Sequence, residues 1–225
     1  MKLSHAVTML QKFYGSDLTH TLAMLEVSVR GTNANTCVQA IKAGGADSSV
    51  LAAAGLMKHL AGQNNVVIHA LGILLCLPHL LEEDETIEYV SLGAGNTGRA
   101  FDLETTKRIA EFKFIRWQGG PESIRQNALF KDFYLMAEHP SAKRKYLYVL
   151  DTKYPLKFFN GGRVLSSVLS RNVKLQEDFH MRYGDSYCTV HEYYALRKDS
   201  VILQDISKWV PGLAEIAFDG EQTEV

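Results

Sequence analysis

The sequence predicts an α/β protein: a mixed sheet flanked by helices, preceded by an all-helical lobe. Three observations lead there. Residues 3–81 show helical spacing and capping signals but no alternating run. From residue 86 the order is strand, hairpin pair, helix, strand, helix. Within the hairpin, residues 101–114, apolar and polar side chains alternate at period two. The predicted boundaries are a helical lobe over 1–85 and an α/β core with a C-terminal extension over 86–225.

In the lobe, Asp17 caps a helix running to about Val29, and Gly31-Thr32-Asn33 ends it. A second helix starts at Asn33 or Asn35 and stops at Gly44-Gly45. Asp47 or Ser48 caps a helix over 50–60, and Gly62-Gln63-Asn64-Asn65 is read as a turn before a buried helix over 66–77. The apolar run 66–81 carries His69, Pro78 and His79 and is too short for a membrane span. Glu82-Glu83-Asp84-Glu85 reads as a solvated helix end leading into a strand over 86–92.

Gly93-Ala94-Gly95-Asn96-Thr97-Gly98 is a turn before the hairpin. Joined at Thr106-Lys107, the hairpin sets Asp102 opposite Glu111 and puts Lys113 on the same side, with Phe101, Leu103, Ala110, Phe112 and Phe114 on the other. After Trp117-Gln118-Gly119-Gly120 a helix starts at Pro121 and runs to Glu138, with Gln126, Phe130, Phe133, Tyr134 and Ala137 on one flank. A strand over 145–150, a helix over 163–169 and a strand pair over 188–196 and 201–206 complete the core.

With 225 residues, 46% of them hydrophobic, the chain can bury a sizeable core. A formal net charge of −1 supplies no global attraction for nucleic acid, so any such binding depends on local patches. Cys37, Cys76 and Cys188 show no metal-ligand pairing, and no disulfide is expected. Without a secretory leader in the opening residues, the expectation is a soluble cytoplasmic protein.

Two carboxylates held close together repel unless a cation sits between them, and hard divalent cations favour such oxygens. A lysine on the same face can orient a metal-bound water, help deprotonate it, or stabilise charge on a phosphate. Asp102, Glu111 and Lys113 therefore suit metal-assisted phosphodiester hydrolysis. Cross-strand Glu–Lys pairs lacing an exposed hairpin are the other account of the same pattern.

Asp102, then eight residues, then Glu111-Phe112-Lys113, in strand-strand-helix-strand order, resembles the PD-(D/E)XK nuclease superfamily, whose fold is restriction-endonuclease-like. The resemblance covers roughly residues 86–150. It implies that Asp102 and Glu111 bind Mg²⁺ or Mn²⁺, that Lys113 acts at the attacking water, and that DNA more than RNA is cut. Gln126, with Tyr134 two turns on, is similar to the supporting Gln and Tyr of the branch with RecB-type and lambda-exonuclease-type nucleases. Phe101 stands where the signature has Pro. The metal-binding Glu that many members carry on the preceding helix has no counterpart over 66–81, which leaves Glu82, Glu83 and Glu85 as substitutes.

Arg99, Arg116, Arg125, Lys131, Lys143 and Arg144 are candidates for contacting a nucleic-acid backbone. The helical lobe would then serve substrate choice or homodimerisation. Two other classes stay open. One is a non-catalytic nucleic-acid-binding or assembly protein keeping the nuclease fold. The other is a dinucleotide-binding protein using the G-x-G-x-x-G turn at 93–98, which requires a helix directly after the glycines.

Overall fold

A computed structural model of the chain describes residues 1–93, 100–117 and 122–214, the side chains at 34, 35 and 63 excepted. The chain divides into two compact units, Met1–Val66 and Val67–Val225. The first holds helices α1 (Leu3–Tyr14), α2 (Leu18–Val29), α3 (Ala34–Ala43) and the start of α4 (Ser48–Leu80). Local chemistry sets these boundaries. Gly15, at φ 62°, closes α1 in a backbone conformation that side chains disfavour. The Asp17 carboxylate accepts the Thr19 N–H at 2.8 Å, and Asp47 accepts those of Ser49 and Val50 at 2.8 and 2.9 Å. Burial is thin: Ala6, Leu10 and Ala53 form this unit's core, and α2 buries none of its residues.

Helix α4 corrects the expected break at residues 62–65, because its 33 residues run through without interruption. A helical glycine costs only about 1 kcal/mol relative to alanine, and no proline occurs in α4 before Pro78, near its end. At this length, with mean hydropathy 1.6 over its most apolar window, α4 is long and apolar enough to cross a bilayer, unlike the run 66–81 alone. Ile73, Cys76, Leu77 and Leu80 are nonetheless buried against the sheet.

The second unit is built on a five-stranded sheet in the order β1 (Ile87–Val90), β2 (Leu103–Thr105), β3 (Arg108–Lys113), β4 (Arg144–Val149), β5 (Ile202–Asp205). Strands β1 to β3 form an antiparallel meander, while β4 runs parallel to β3 and β5 parallel to β4. The remaining helices are α5 (Ser123–Glu138), α6 (Lys153–Phe159), α7 (Leu165–Leu169), α8 (Val173–Tyr183), α9 (Val190–Arg197) and the short α10 (Pro211–Ala214). Alternation along the strands separates two cores. Ile109, Leu147 and Val149 face α5 to α9, whereas Leu103, Ala110, Phe112, Tyr146 and Tyr148 face the end of α4. The chain is thus an α/β protein with a mixed sheet between helices.

Three other expectations change. Residues 188–196 form α9 rather than a strand: Thr189 accepts the Glu192 N–H, and the Glu192 carboxylate accepts the Thr189 N–H at 3.0 Å, a capping box. Helices α6 and α8 add to the elements expected between β4 and β5. Phe101 leaves the apolar strip to stand edge-on to His139 beside the α5 core, with centroids 5.0 Å apart, because it precedes the first β2–β3 pair and no alternation binds it.

Candidate active site

The β2–β3 register is Leu103↔Ala110 and Glu104↔Ile109, so one step further brings Asp102 level with Glu111. The Asp102 carbonyl accepts the Ser91 N–H at 2.7 Å, which ties this position to the end of β1. Its carboxylate is held on both oxygens. Oδ2 accepts the Phe112 N–H at 3.0 Å, and Oδ1 lies 3.3 Å from His69 Nε2. The His69 ring stands edge-on to Phe114, with centroids 6.2 Å apart.

Glu111 and Lys113 lie on the Ile109 side of β3, facing α5. Lys113 Nζ donates to Glu111 Oε1 at 2.8 Å and pairs with Asp132 Oδ2 of α5 at 2.7 Å. Asp132 reaches it because it shares a helical stripe with Leu129 and Met136, three residues before and four after, both packed in the core under β3. No hydrogen bond joins Asp102 to Glu111 or Lys113; Asp102 acts on Glu111 through its charge.

Burial is the first cause of the Glu111 shift, pushing its carboxyl up to about 7. Asp132 and Asp102 add to it, and Lys113 opposes it. Burial alone would lower Lys113, but Asp132 and Glu111 outweigh it and hold the amine well above its usual value. Lys113 is therefore a fixed cation and hydrogen-bond donor, not a proton acceptor. The hydrogen bond to Asp102 raises His69, against the opposing effect of burial. Asp102, Glu111 and Asp132 thus crowd around Lys113, and the cluster draws in protons at Glu111 and His69.

Among the described residues no three His, Cys, Asp or Glu side chains converge tightly enough to hold a metal alone. Glu82 and Glu85 do not supply a ligand here. Glu82 binds Lys107 at 2.9 Å and also Arg144, and Glu85 is buried against Arg108. The solvated helix end expected over 82–85 thus contains a buried ion pair. Gln126 makes no side-chain hydrogen bond to Asp102, Glu111 or Lys113 among the described residues; Asp132 is the α5 residue that pairs with Lys113. Tyr134 is fully buried and donates to Asp178 at 2.6 Å.

The candidate backbone-binding residues scatter. Lys143 is paired with Glu88 and Glu104, at 2.5 and 2.9 Å, and Arg144 with Glu82. Arg144 is level with Arg108 while Lys113 is level with Val149, which puts Arg144 five residues from the site, about 16 Å at strand rise. Arg125 pairs with Glu122 at 2.5 Å, and Arg116 donates to the Ala214 carbonyl at 2.8 Å. Lys131 lines a cavity beside α7. Arg99 and the turn residues 94–98 lie outside the described residues. The next regular element after them is strand β2, so the helix required for dinucleotide binding is replaced by a strand.

Two residues of the cluster escape a reading of the sequence. His69 reads as a packed core or interface histidine, although it belongs to the stripe 69, 73, 76, 77, 80 whose other members are buried against the sheet. Asp132 is one of two acids on α5, with Glu138, and belongs to no motif. Compared with protein-family models, with curated proteins and with solved structures, the chain matches none.

Proposed function

We propose that the chain is a metal-dependent nuclease of the PD-(D/E)XK type that hydrolyses phosphodiester bonds, in DNA more than in RNA. One observation carries the reading: Glu111 is half-buried near Asp102 and Asp132, its proton affinity raised, with the fixed cation Lys113 against it. The strand order and the α5 crossover between β3 and β4 add support.

The donor set suits a hard divalent cation. Mg²⁺ is commonly bound by one or two carboxylates plus waters and substrate phosphate, so Asp102 and Glu111 suffice without a third protein ligand. Once bound, Mg²⁺ or Mn²⁺ would acidify a water and polarise the phosphate. The chain's own residues do the rest. The Phe112 N–H and His69 fix the Asp102 carboxylate, and Asp132 orients Lys113, whose ammonium presents positive charge where a phosphate oxygen gains negative charge.

The test is cleavage of plasmid and single-stranded DNA with Mg²⁺ or Mn²⁺. Native chain should cut, and Lys113→Ala and Asp102→Asn should each lower the rate at least about 100-fold. Absence of metal-dependent cleavage of any nucleic acid by the native chain rejects the reading. Binding without cleavage would favour the non-catalytic alternative, which the double carboxylate grip on Lys113 makes worth testing.

A further inference from the structure

A cavity of about 200 Å³ opens on the flank of α5, between it, α7 and the turn into α8. Its floor is apolar, from the buried Val168 and Leu175, and its lining also includes the exposed Ile124 with Asn127, Lys131 and Arg171. Two features suit it to a ligand. Neither Lys131 nor Arg171 has an acidic partner among the described residues, whereas Arg125, the other cation of α5, is paired with Glu122. The Asn127 Oδ1 atom is buried with no hydrogen-bond partner among the described residues, an acceptor whose desolvation is uncompensated until a donor arrives.

An apolar floor, a waiting acceptor and two cations without acidic partners describe the needs of one nucleotide. A base or sugar can cover the floor, an N–H or hydroxyl can satisfy Asn127, and a phosphate can meet Lys131 and Arg171. At about 200 Å³ the cavity has room for a base or a sugar, with the phosphate left outside at Lys131 and Arg171. Position adds to this, since Ala128 of the cavity lining stands one helical turn before Asp132, the residue that holds Lys113. A strand leaving the site along α5 would therefore pass the cavity. We propose that the cavity holds one nucleotide of a bound single strand, an inference that rests on the nuclease reading for the strand's path.

The experiment is fluorescence anisotropy of a labelled single-stranded DNA 12-mer with the full native chain in EDTA, which prevents cleavage. Relative to native chain, Lys131→Ala/Arg171→Ala should raise the dissociation constant about tenfold and reduce the salt slope by about 0.7 for each phosphate no longer neutralised. Removing the same charge from α6, Lys153→Ala/Lys157→Ala, should change neither by more than about twofold. Thymidine monophosphate should compete far more weakly than unlabelled 12-mer. Unchanged affinity and slope in the Lys131/Arg171 variant overturn the inference, as do failure of the native chain to bind and equal competition by the free nucleotide. The two readings fail separately: a binding loss in this variant without metal-dependent cleavage by native chain leaves the cavity and removes the nuclease. Cleavage with unchanged binding in the variant does the reverse.

Discussion

Arg108 is almost wholly buried and forms two hydrogen bonds with Glu85, Nε to Oε1 at 2.6 Å and Nη2 to Oε2 at 2.5 Å, while its Nη1 donates to the Tyr148 hydroxyl at 3.1 Å. Burial pushes the Glu85 carboxyl up, but Arg108 and the Thr105 hydroxyl outweigh it and hold it at about 2, against an ordinary 4.5. A carboxyl depressed by folding stabilises the fold above its unfolded value and loses that contribution as pH falls through the folded one. Stability measured by urea denaturation should therefore drop between about pH 4.5 and pH 2 by more in the native chain than in Glu85→Gln. Arg108→Ala strands Glu85 in the core and should cost about 3 kcal/mol or more at neutral pH by the same measurement. Neither residue stands out in the sequence, where Glu85 is one of four acids in a row and Arg108 one strand residue among several. The candidate site divides the same way. Asp102, Glu111 and Lys113 are legible because one short hairpin carries all three. His69 and Asp132 arrive from helices 33 residues before Asp102 and 19 after Lys113, and spacing alone gives no pairing across such distances.

The hairpin is the most legible element, since a two-residue connection and strict alternation leave one register that buries Leu103, Ala110 and Phe112 together. Helix α9 shows the opposite case. Its Tyr193 and Tyr194 favour strands, yet the Thr189-to-Glu192 spacing is a helix-start signature, and the cap outweighs propensity once Tyr193 enters the ring cluster with Phe130, Tyr134 and Phe179. Thr189→Ala should cost about 1 kcal/mol in urea denaturation, while Thr189→Ser should be close to neutral. Helix α4 reads as two in sequence because glycine and asparagine suggest a turn. They weaken a helix without breaking it, and the buried stripe of its last turns favours continuation.

At the scale of the whole molecule, the division after Val66 separates a lobe with three buried apolar side chains among the described residues from a unit with two extensive cores. Fold class is legible because periodicity switches from helical to alternating along the chain. The division itself is not, because it falls inside a helix and no change of composition marks it. The contrast in burial has an optical consequence. The chain has two tryptophans, Trp117, buried in the α5 core, and Trp209, stacked on His79 with centroids 5.8 Å apart, and both belong to the second unit. Tryptophan emission is thus blind to the lobe, whereas far-ultraviolet ellipticity sums helices from both units. On heating, ellipticity should begin to fall before the emission maximum moves, and coincident curves would mean that the two units melt as one cooperative body.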